Sequence, residues 1–327
     1  MKELKLQYCR QNDNICNFCG SSDVLVLYPT SSLTGQSHYI CQCNQCRFYS
    51  LAPCPTAEEL AQAYDISYYG AADTKFPRYI ELVLDYFRKG RSRRIQKFVS
   101  PPAKVLDIGC GNGRFLGYLI PHGYEAYGFE LPGKSAERAA AIPGLKLSTE
   151  PLAPESFSEN YFDAISLWHV FEHLTEPQKA LDIIDTILQP GGYLFLSLPN
   201  IESIQSRLFK GKWLHLDPPK HLFFPAPKTL IAELEKRGYA LKYKTFFSLE
   251  QNLFGIQQSL LNCFCRKREV LFEALKDNST YLRDISPVSI FFQKLFYILT
   301  FPVFCVLAAI EAVLRKGGTM EMVFQKQ

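Results

Sequence analysis

KVLDIGCGNGRFL, residues 104–116, runs from an apolar segment (Val105, Leu106, Ile108) through Gly109, Gly111 and Gly113 into a helical pattern. That order predicts a buried strand, a tight glycine turn and a helix start. Glycines let a ligand approach the backbone with no Cβ in the way, and the first turn of a helix presents unpaired N–H groups. Asp107 stands at the carboxyl end of the strand, where it can accept hydrogen bonds from a ligand amine or from the loop's own N–H groups. By itself the spacing G-x-G-x-G serves both dinucleotide sites and purely structural turns.

The next strand separates these readings. Ala126–Phe129 ends in Glu130, a carboxylate about twenty residues past the loop, where it can bind two ribose hydroxyls. An adenosine ligand follows. The glycine spacing departs from the dinucleotide fingerprint G-x-G-x-x-G, and VLDIGCGNG with the strand-ending Glu130 resembles motif I and its acidic partner in class I S-adenosylmethionine (SAM) methyltransferases. The resemblance covers roughly residues 101–200, where FDAISLWHVFEHL (162–174) and LQPGGYLFLSLPN (188–200) are similar to small-molecule enzymes of that class. It implies SAM as cofactor, held by Asp107, Gly109, Gly111, Gly113 and Glu130, with Leu131, Trp168 and His169 beside it at the strand ends.

Alternating strand and helix patterns predict an α/β fold, a doubly wound, mostly parallel seven-stranded sheet. Its strands are Lys104–Ile108, Ala126–Glu130, Leu145–Ser148, Phe162–Trp168, Tyr193–Leu198, Ala240–Phe247 and a final antiparallel strand at 320–326. The helices between them are Arg114–His122, Ser135–Ile142, Pro177–Leu188 and Pro227–Lys236, with Gln189-Pro190-Gly191-Gly192 as a turn into the fifth strand.

With 327 residues the chain exceeds an average single core and calls for one α/β domain plus appendages. Hydrophobic content of 47% and aromatic content of 14% exclude a disordered chain. A formal charge of +4 is too small to argue for a nucleic-acid partner. The amino terminus, MKELKLQYCRQNDN, lacks the apolar core of a signal peptide, so a cytoplasmic location with reduced or metal-bound cysteines is expected.

Of eleven cysteines, most lie near the front. Cys16-x-x-Cys19 and Cys43-x-x-Cys46 form two thiolate knuckles, each able to give two ligands to a tetrahedral Zn²⁺, and Gly20 follows the first where a tight turn is needed. A four-sulfur site leaves no open position for water, so this Zn²⁺ is structural, folding a ribbon too small for its own core. Cys41 competes for a ligand place, whereas Cys9 and Cys54 stand outside and His38 reads as a surface residue. Tyr64–Gly70 is a tyrosine-rich connection, either a lid on the cofactor or core packing. The basic run Arg88–Lys97 reads first as a solvated helix face and second as a contact to phosphate or lipid headgroups.

After strand four, class I enzymes that methylate an exocyclic amine carry an Asn/Asp-Pro-Pro-aromatic tetrad, but this chain has Trp168-His169-Val170-Phe171. An oxygen or carbon acceptor remains. The residues placed in catalysis are His169, His173 and His221, the last in WLHLDPPKH (213–221), which reads as a rigid, extended acceptor-side loop that also carries His215, Asp217 and Lys220. His169-x-x-Glu172-His173 with the distant His221 is similar to the Glu-x-x-Glu-His pattern of ubiquinone-pathway and small-RNA 2′-O-methyltransferases, and that likeness implies a second divalent ion orienting the acceptor oxygen. His169 stands where the pattern has Glu. The alternative is that His173 packs near the cofactor and hydrogen bonds hold Glu172.

Near the carboxyl end, FFQKLFYILTFPVFCVLAAIEAVL (291–314) is strongly apolar. Its uncharged part, Leu295–Ile310, spans about 24 Å as a helix, against roughly 30 Å of hydrocarbon. Pro302 interrupts it. A bent helical pair lying in a bilayer interface is therefore expected, with burial or dimer contact as the other reading. The expected division is a zinc ribbon (1–55), a helical connector and lid (56–100) and a SAM-binding domain (101–327) with an apolar insertion (287–316). The expected function is SAM-dependent methyl transfer to an oxygen of a small metabolite, sugar or lipid-linked intermediate, by a cytoplasmic enzyme peripheral at the inner face of the membrane. Its alternatives are an RNA methyltransferase that grips RNA with the ribbon, and a non-catalytic zinc-ribbon scaffold.

Overall fold

The structure, a computed structural model, describes residues 15–65, 78–150 and 152–327. Cys9 and most of the Tyr64–Gly70 connection lie outside the described residues. In chain order the strands are β1 (Val24–Ser31), β2 (Ser37–Cys43), β3 (Tyr49–Ala52), β4 (Ala103–Ile108), β5 (Tyr124–Phe129), β6 (Lys146–Ser148), β7 (Phe162–Trp168), β8 (Leu188–Pro199), β9 (Phe223–Phe224), β10 (Tyr239–Thr245) and β11 (Thr319–Lys326). They form a four-stranded sheet, β1-β2-β3-β9, and a seven-stranded sheet, β10-β11-β8-β7-β4-β5-β6. By contacts the described chain makes two compact units. The sheet unit holds 78–198, 231–245 and 321–327, and the ribbon unit holds the amino-terminal residues with 199–230 and 246–320. These units interleave along the sequence, because the ribbon unit draws on segments far downstream.

In the sheet unit β4 pairs in parallel with both β5 and β7, β7 with β8, and β5 with β6, while β10 and β11 are antiparallel. The last strand thus returns to the sheet as expected, and Lys326 Nζ anchors it on the carbonyls of Asp185 and Leu188. Val105, Leu106 and Ile108 of β4 and Ala164, Ile165 and Leu167 of β7 are buried, as strands covered on both faces require. Helix Arg78–Phe98 packs Ile95 and Val99 into this core, and the Phe98 ring lies 5.6 Å from Tyr193 and 5.9 Å from Phe195.

Two boundaries differ from expectation. The helix after the glycine loop runs only from Arg114 to Gly117, and a separate 3-10 turn, Ile120–His122, follows. Pro121 has no N–H for the α-helical bond and ends the longer helix. Likewise Gln189–Gly192 is no terminal turn: β8 begins at Leu188, and a register shift against β7 absorbs these residues.

In the ribbon unit Gly20 and Arg47, the residues after Cys19 and Cys46, both take positive φ (73° and 65°), and N–H of Gly20 and Arg47 bonds back to the carbonyls of Cys16 and Cys43. The two knuckles therefore share one turn geometry. Phe18, Phe48 and Phe223 stack behind them. Thr30 Oγ1 donates to the Gly211 carbonyl at 2.9 Å, and the buried Arg268 donates to Thr30 Oγ1 and to the carbonyls of Ser31 and Trp213. A core of Ile40, Leu51, Trp213, Leu216, Leu253, Ile256 and Phe304 joins the ribbon to the downstream segments.

Three expectations are corrected here. His38, read as a surface residue, is fully buried, and burial holds its pKa below the ordinary imidazole value. Residues 213–221 are not extended: Leu214–Leu216 forms a 3-10 turn that ends at Asp217 with φ 32°, and Lys220 N–H bonds to the Asp217 carbonyl. The apolar segment is one helix, Pro287–Val313, of 27 residues with Pro302 inside it, instead of a bent pair; extending past the uncharged stretch in both directions makes it longer than Leu295–Ile310 alone.

Gly211 tests the ribbon unit. A Cβ there would sit 2.0 Å from the Pro29 carbonyl oxygen, so Gly211→Ala forces backbone apart and should cost about 1–3 kcal/mol. Denaturant unfolding of the full chain measures it, and unchanged stability would contradict this packing.

Candidate functional site

The carboxyl end of β4 opens into the glycine loop. Gly109, Gly111 and Gly113 all take positive φ (71°, 57° and 69°), a region that disfavours side chains, yet their surroundings differ. A Cβ on Gly109 would come within 2.5 Å of Val170, and one on Gly113 within 2.7 Å of Leu145. A Cβ on Gly111 would meet nothing within 4 Å. Two glycines are therefore there for packing, and the middle one borders open space where a ligand can lie against the backbone.

Glu130, at the end of β5, closes this loop from the next strand. Gly111 N–H donates to Glu130 Oε2 at 2.6 Å, and Leu131 N–H to Oε1 at 3.0 Å. Burial pushes the carboxyl's pKa up, and these two N–H groups pull it back down. Each oxygen keeps a lone pair for a further donor. Asp107 lies buried at the end of β4, accepts from Ser166 Oγ at 2.6 Å, and is pushed up to about 7 by burial, with a smaller push from Glu130 and opposing pulls from Ser166 and Arg91. Two carboxylates at neighbouring strand ends suit a cationic ligand. Leu131 is exposed beside them, and Trp168 is buried with its indole N–H unpaired, an available donor at the end of β7. The Trp168 ring meets Phe115 edge-on at 5.9 Å, and the Arg91 guanidinium lies 5.6 Å from its centre.

Immediately after Trp168, His169 takes φ 57°, and its N–H bonds to the Ser197 carbonyl of β8. Its ring is held on both sides: Nε2 is 3.2 Å from Ser197 Oγ, and Nδ1 is 3.4 Å from Oε1 of the fully buried Glu172. A carboxylate on Nδ1 favours the proton there and leaves Nε2 as the acceptor. His173 ends the 3-10 turn Phe171–His173, and its N–H bonds to Val170 O. Within the ribbon unit, His221 is buried, with Nδ1 2.8 Å from the His215 carbonyl, and His215 Nε2 is 3.2 Å from Gln251 O. His169 and His173 thus belong to the sheet unit and His221 to the ribbon unit.

The four knuckle cysteines come together. Cys16 Sγ lies 3.5 Å from Cys46 Sγ, and Cys19 Sγ 3.5 Å from Cys43 Sγ; all four sulfurs lie within 4.8 Å of one another. A tetrahedral ZnS₄ site with bonds of about 2.3 Å sets sulfurs about 3.8 Å apart, so the donor set fits. The Cys46 thiol pulls Cys16 down to about 5 while Cys46 itself is pushed up, as expected where crowded sulfurs share protons. Cys41 is buried outside this set and Cys54 is exposed.

Several partners were not legible in the sequence. Arg91, Ser166 and Ser197 have no motif of their own, and Glu321 on β11 is brought by tertiary folding to Arg94 at 2.8 Å, where Arg91 and His169 also lower its burial-raised pKa. The basic helix is in part paired. Arg88 pairs with Glu81 and Asp85, Arg114 pairs with the same two acids, and Arg94 stacks 4.0 Å from the Tyr243 ring centre, while Lys89, Arg93 and Lys97 are exposed.

A glycine loop closed by a strand-end carboxylate on a doubly wound sheet defines a nucleoside-binding α/β enzyme. Residues 78–243 match a family described as a methyltransferase domain, and the chain belongs to it: this is a class I SAM-dependent methyltransferase. The chain is similar to the ubiquinone biosynthesis O-methyltransferase of Paraburkholderia phymatum, 29% identical over 112 residues, 32% of this chain and 48% of that one. It is also similar to the enzyme of that name from Shewanella sp. (strain ANA-3), 26% identical over 151 residues, 42% of this chain and 64% of that one. The chain spans about half the length of the curated relatives it matches. Among solved structures it is similar to the 4+2 cyclase SpnF, with a TM-score of 0.51 and 15% identity over 84% of this chain and 97% of that one, a likeness of fold alone.

Asp107 gives a pH signature. Its pKa rises from 3.8 to about 7 on folding, so between those values the folded state holds a proton that the unfolded state has lost. Stability then falls as pH rises from about 4 to about 7. Asp107→Asn removes that penalty, and its gain in melting temperature over wild type should be larger at pH 8 than at pH 5. An equal gain at both would show that Asp107 is not held neutral by burial.

Proposed function

We propose that this enzyme transfers the SAM methyl group to an oxygen of a small metabolite, sugar or lipid-linked intermediate. The observation that carries the reading is the His169 ring, fixed between Ser197 Oγ and the buried Glu172 at the strand end next to the glycine loop. The likeness to relatives named O-methyltransferases supports an oxygen acceptor. So does the absence of an amine-holding tetrad after Trp168.

In this reading Asp107, Gly109, Gly111, Gly113, Glu130, Leu131 and Trp168 hold the cofactor. Glu130 takes the ribose hydroxyls and Asp107 lies on the side of the cationic methionine end. Bound SAM supplies an electrophilic methyl on a sulfonium. His169 Nε2 would take the proton that the acceptor hydroxyl releases as it receives the methyl group. Glu172 steadies the charge that then develops on the ring. His173 and His221 are kept as further acid–base candidates, and a second divalent ion is kept at the His169-x-x-Glu172-His173 pattern with His221.

The four-sulfur cluster is proposed to hold one structural Zn²⁺ in a ribbon of residues 1–55, with 56–100 as connector and lid and 101–327 as the catalytic part. The enzyme is further proposed to act in the cytoplasm, peripheral at the inner face of the membrane through its apolar helix, with a small-molecule acceptor as its partner.

Incubation of the enzyme with cell extract and methyl-labelled SAM tests the acceptor. An O-methylated small molecule is expected, and label on RNA or protein would overturn the reading. With the purified acceptor, His169→Ala should lower kcat about 10²- to 10⁴-fold. Metal analysis should find Zn²⁺ in the wild type and none in a Cys16→Ser/Cys19→Ser variant; zinc retained there would refute the cluster as its site.

A further inference from the structure

Helix Pro287–Val313 is built inside out. Toward the ribbon unit it turns polar groups as well as apolar ones: Gln293 and Glu311 are buried, Gln257 Nε2 clamps the Tyr297 carbonyl at 3.0 Å and Thr300 Oγ1 at 2.9 Å, and Gln205 Nε2 donates to Glu311 at 2.8 Å. Phe304 and Ala308 fill the core between these polar contacts. The opposite face carries Val288, Phe292, Leu299, Val303, Val306 and Ile310, which are 49–67% exposed and fall on one narrow stripe at helical spacing. Water-facing helices in globular proteins show the reverse polarity.

Charge follows the same division. Glu311 is the only acid between residues 287 and 316, and it is turned inward, where burial pushes it up to about 7. The cations of this stretch are Lys294, Arg315 and Lys316, and Lys294 and Arg315 are exposed. No negative charge meets an approaching anionic surface along this helix.

We propose that this stripe lies in the plane of an anionic bilayer surface, its apolar side chains among the acyl chains and its cations at the headgroups, and that the helix does not cross the membrane. Crossing is opposed by the seat. From Gln293 to Glu311 the helix is held along about 27 Å, nearly the roughly 30 Å of a hydrocarbon core. An upright helix would carry Gln257, Gln205 and their neighbours into lipid with it, or lose them. A second copy of the chain fits less well. The exposed side of a helix about 40 Å long and about 10 Å wide offers about 400 Å², half of the roughly 800 Å² per partner in a stable interface. An in-plane helix needs no such partner, and the stripe with basic flanks is what interfacial binding requires. The inference deepens the proposed peripheral membrane location and rests on it, and it stands apart from the identity of the acceptor, since its readout involves no methyl transfer.

Flotation of the full-length protein tests it, with phosphatidylcholine vesicles and with vesicles containing 30% phosphatidylglycerol. Wild type should float with the anionic vesicles at least tenfold more than with the neutral ones, and alkaline carbonate should release it. Val303→Asp/Val306→Asp should lose flotation tenfold or more, and its melting temperature without lipid should stay at the wild-type value because both positions are exposed. Lys294→Glu/Arg315→Glu should abolish the preference for anionic vesicles. Wild type remaining in the soluble fraction with both vesicles would overturn the proposal. So would retention through carbonate, which marks a spanning helix, or a lipid-free dimer broken by Val303→Asp/Val306→Asp, which marks a second copy as occupant.

Discussion

The hydrogen bond from Gly111 N–H to Glu130 is the constraint on which the catalytic unit depends. It ties the tip of the loop after β4 to the end of β5, and so converts two adjacent strand ends into one cradle. Only a residue with no side chain can stand at the tip and leave the space beyond it open. The flanking glycines serve a different end, letting Val170 and Leu145 close against the loop so that the tip is held still.

Holding two carboxyl groups in that cradle is costly. Asp107 and Glu130 are both buried and both raised by loss of water, and Glu130 adds to the push on Asp107. A cationic ligand relieves that cost, because opposite charge near a buried carboxylate stabilises its ionised form. The same logic extends to His169, whose left-handed backbone and two ring contacts restrict it to one orientation. Such conformational restriction is common where chemistry is performed.

The ribbon unit solves a different problem. A segment with two thiolate knuckles and three short strands cannot bury much apolar surface by itself, and here it gains a core by recruiting β9, Trp213 and the helices that follow Phe246. Arg268, buried and bonded to Thr30, Ser31 and Trp213, fastens the early and late parts of the chain together. The apolar helix closes that core with its inward face and presents an uncharged stripe outward, so one element serves packing on one side and contact on the other.

Read as a string of residues, the chain already declares its doubly wound sheet, its glycine loop, Glu130 and its two cysteine pairs, because each rests on a local pattern: short apolar runs in buried strands, φ-permissive turns and paired thiolates. Spacing also announced the apolar segment, though not its form, since a lone proline in the middle of a helix can be accommodated once packing holds the helix on both sides of it. What only tertiary structure decided are properties that depend on distant neighbours. Among these are which glycine borders open space, the burial of His38, the placing of His169 between Ser197 and Glu172, and the pairing of Arg88 with Glu81 and Asp85 and of Arg94 with Glu321. Burial and pairing are set by whichever side chains folding brings together, and sequence distance carries no record of them.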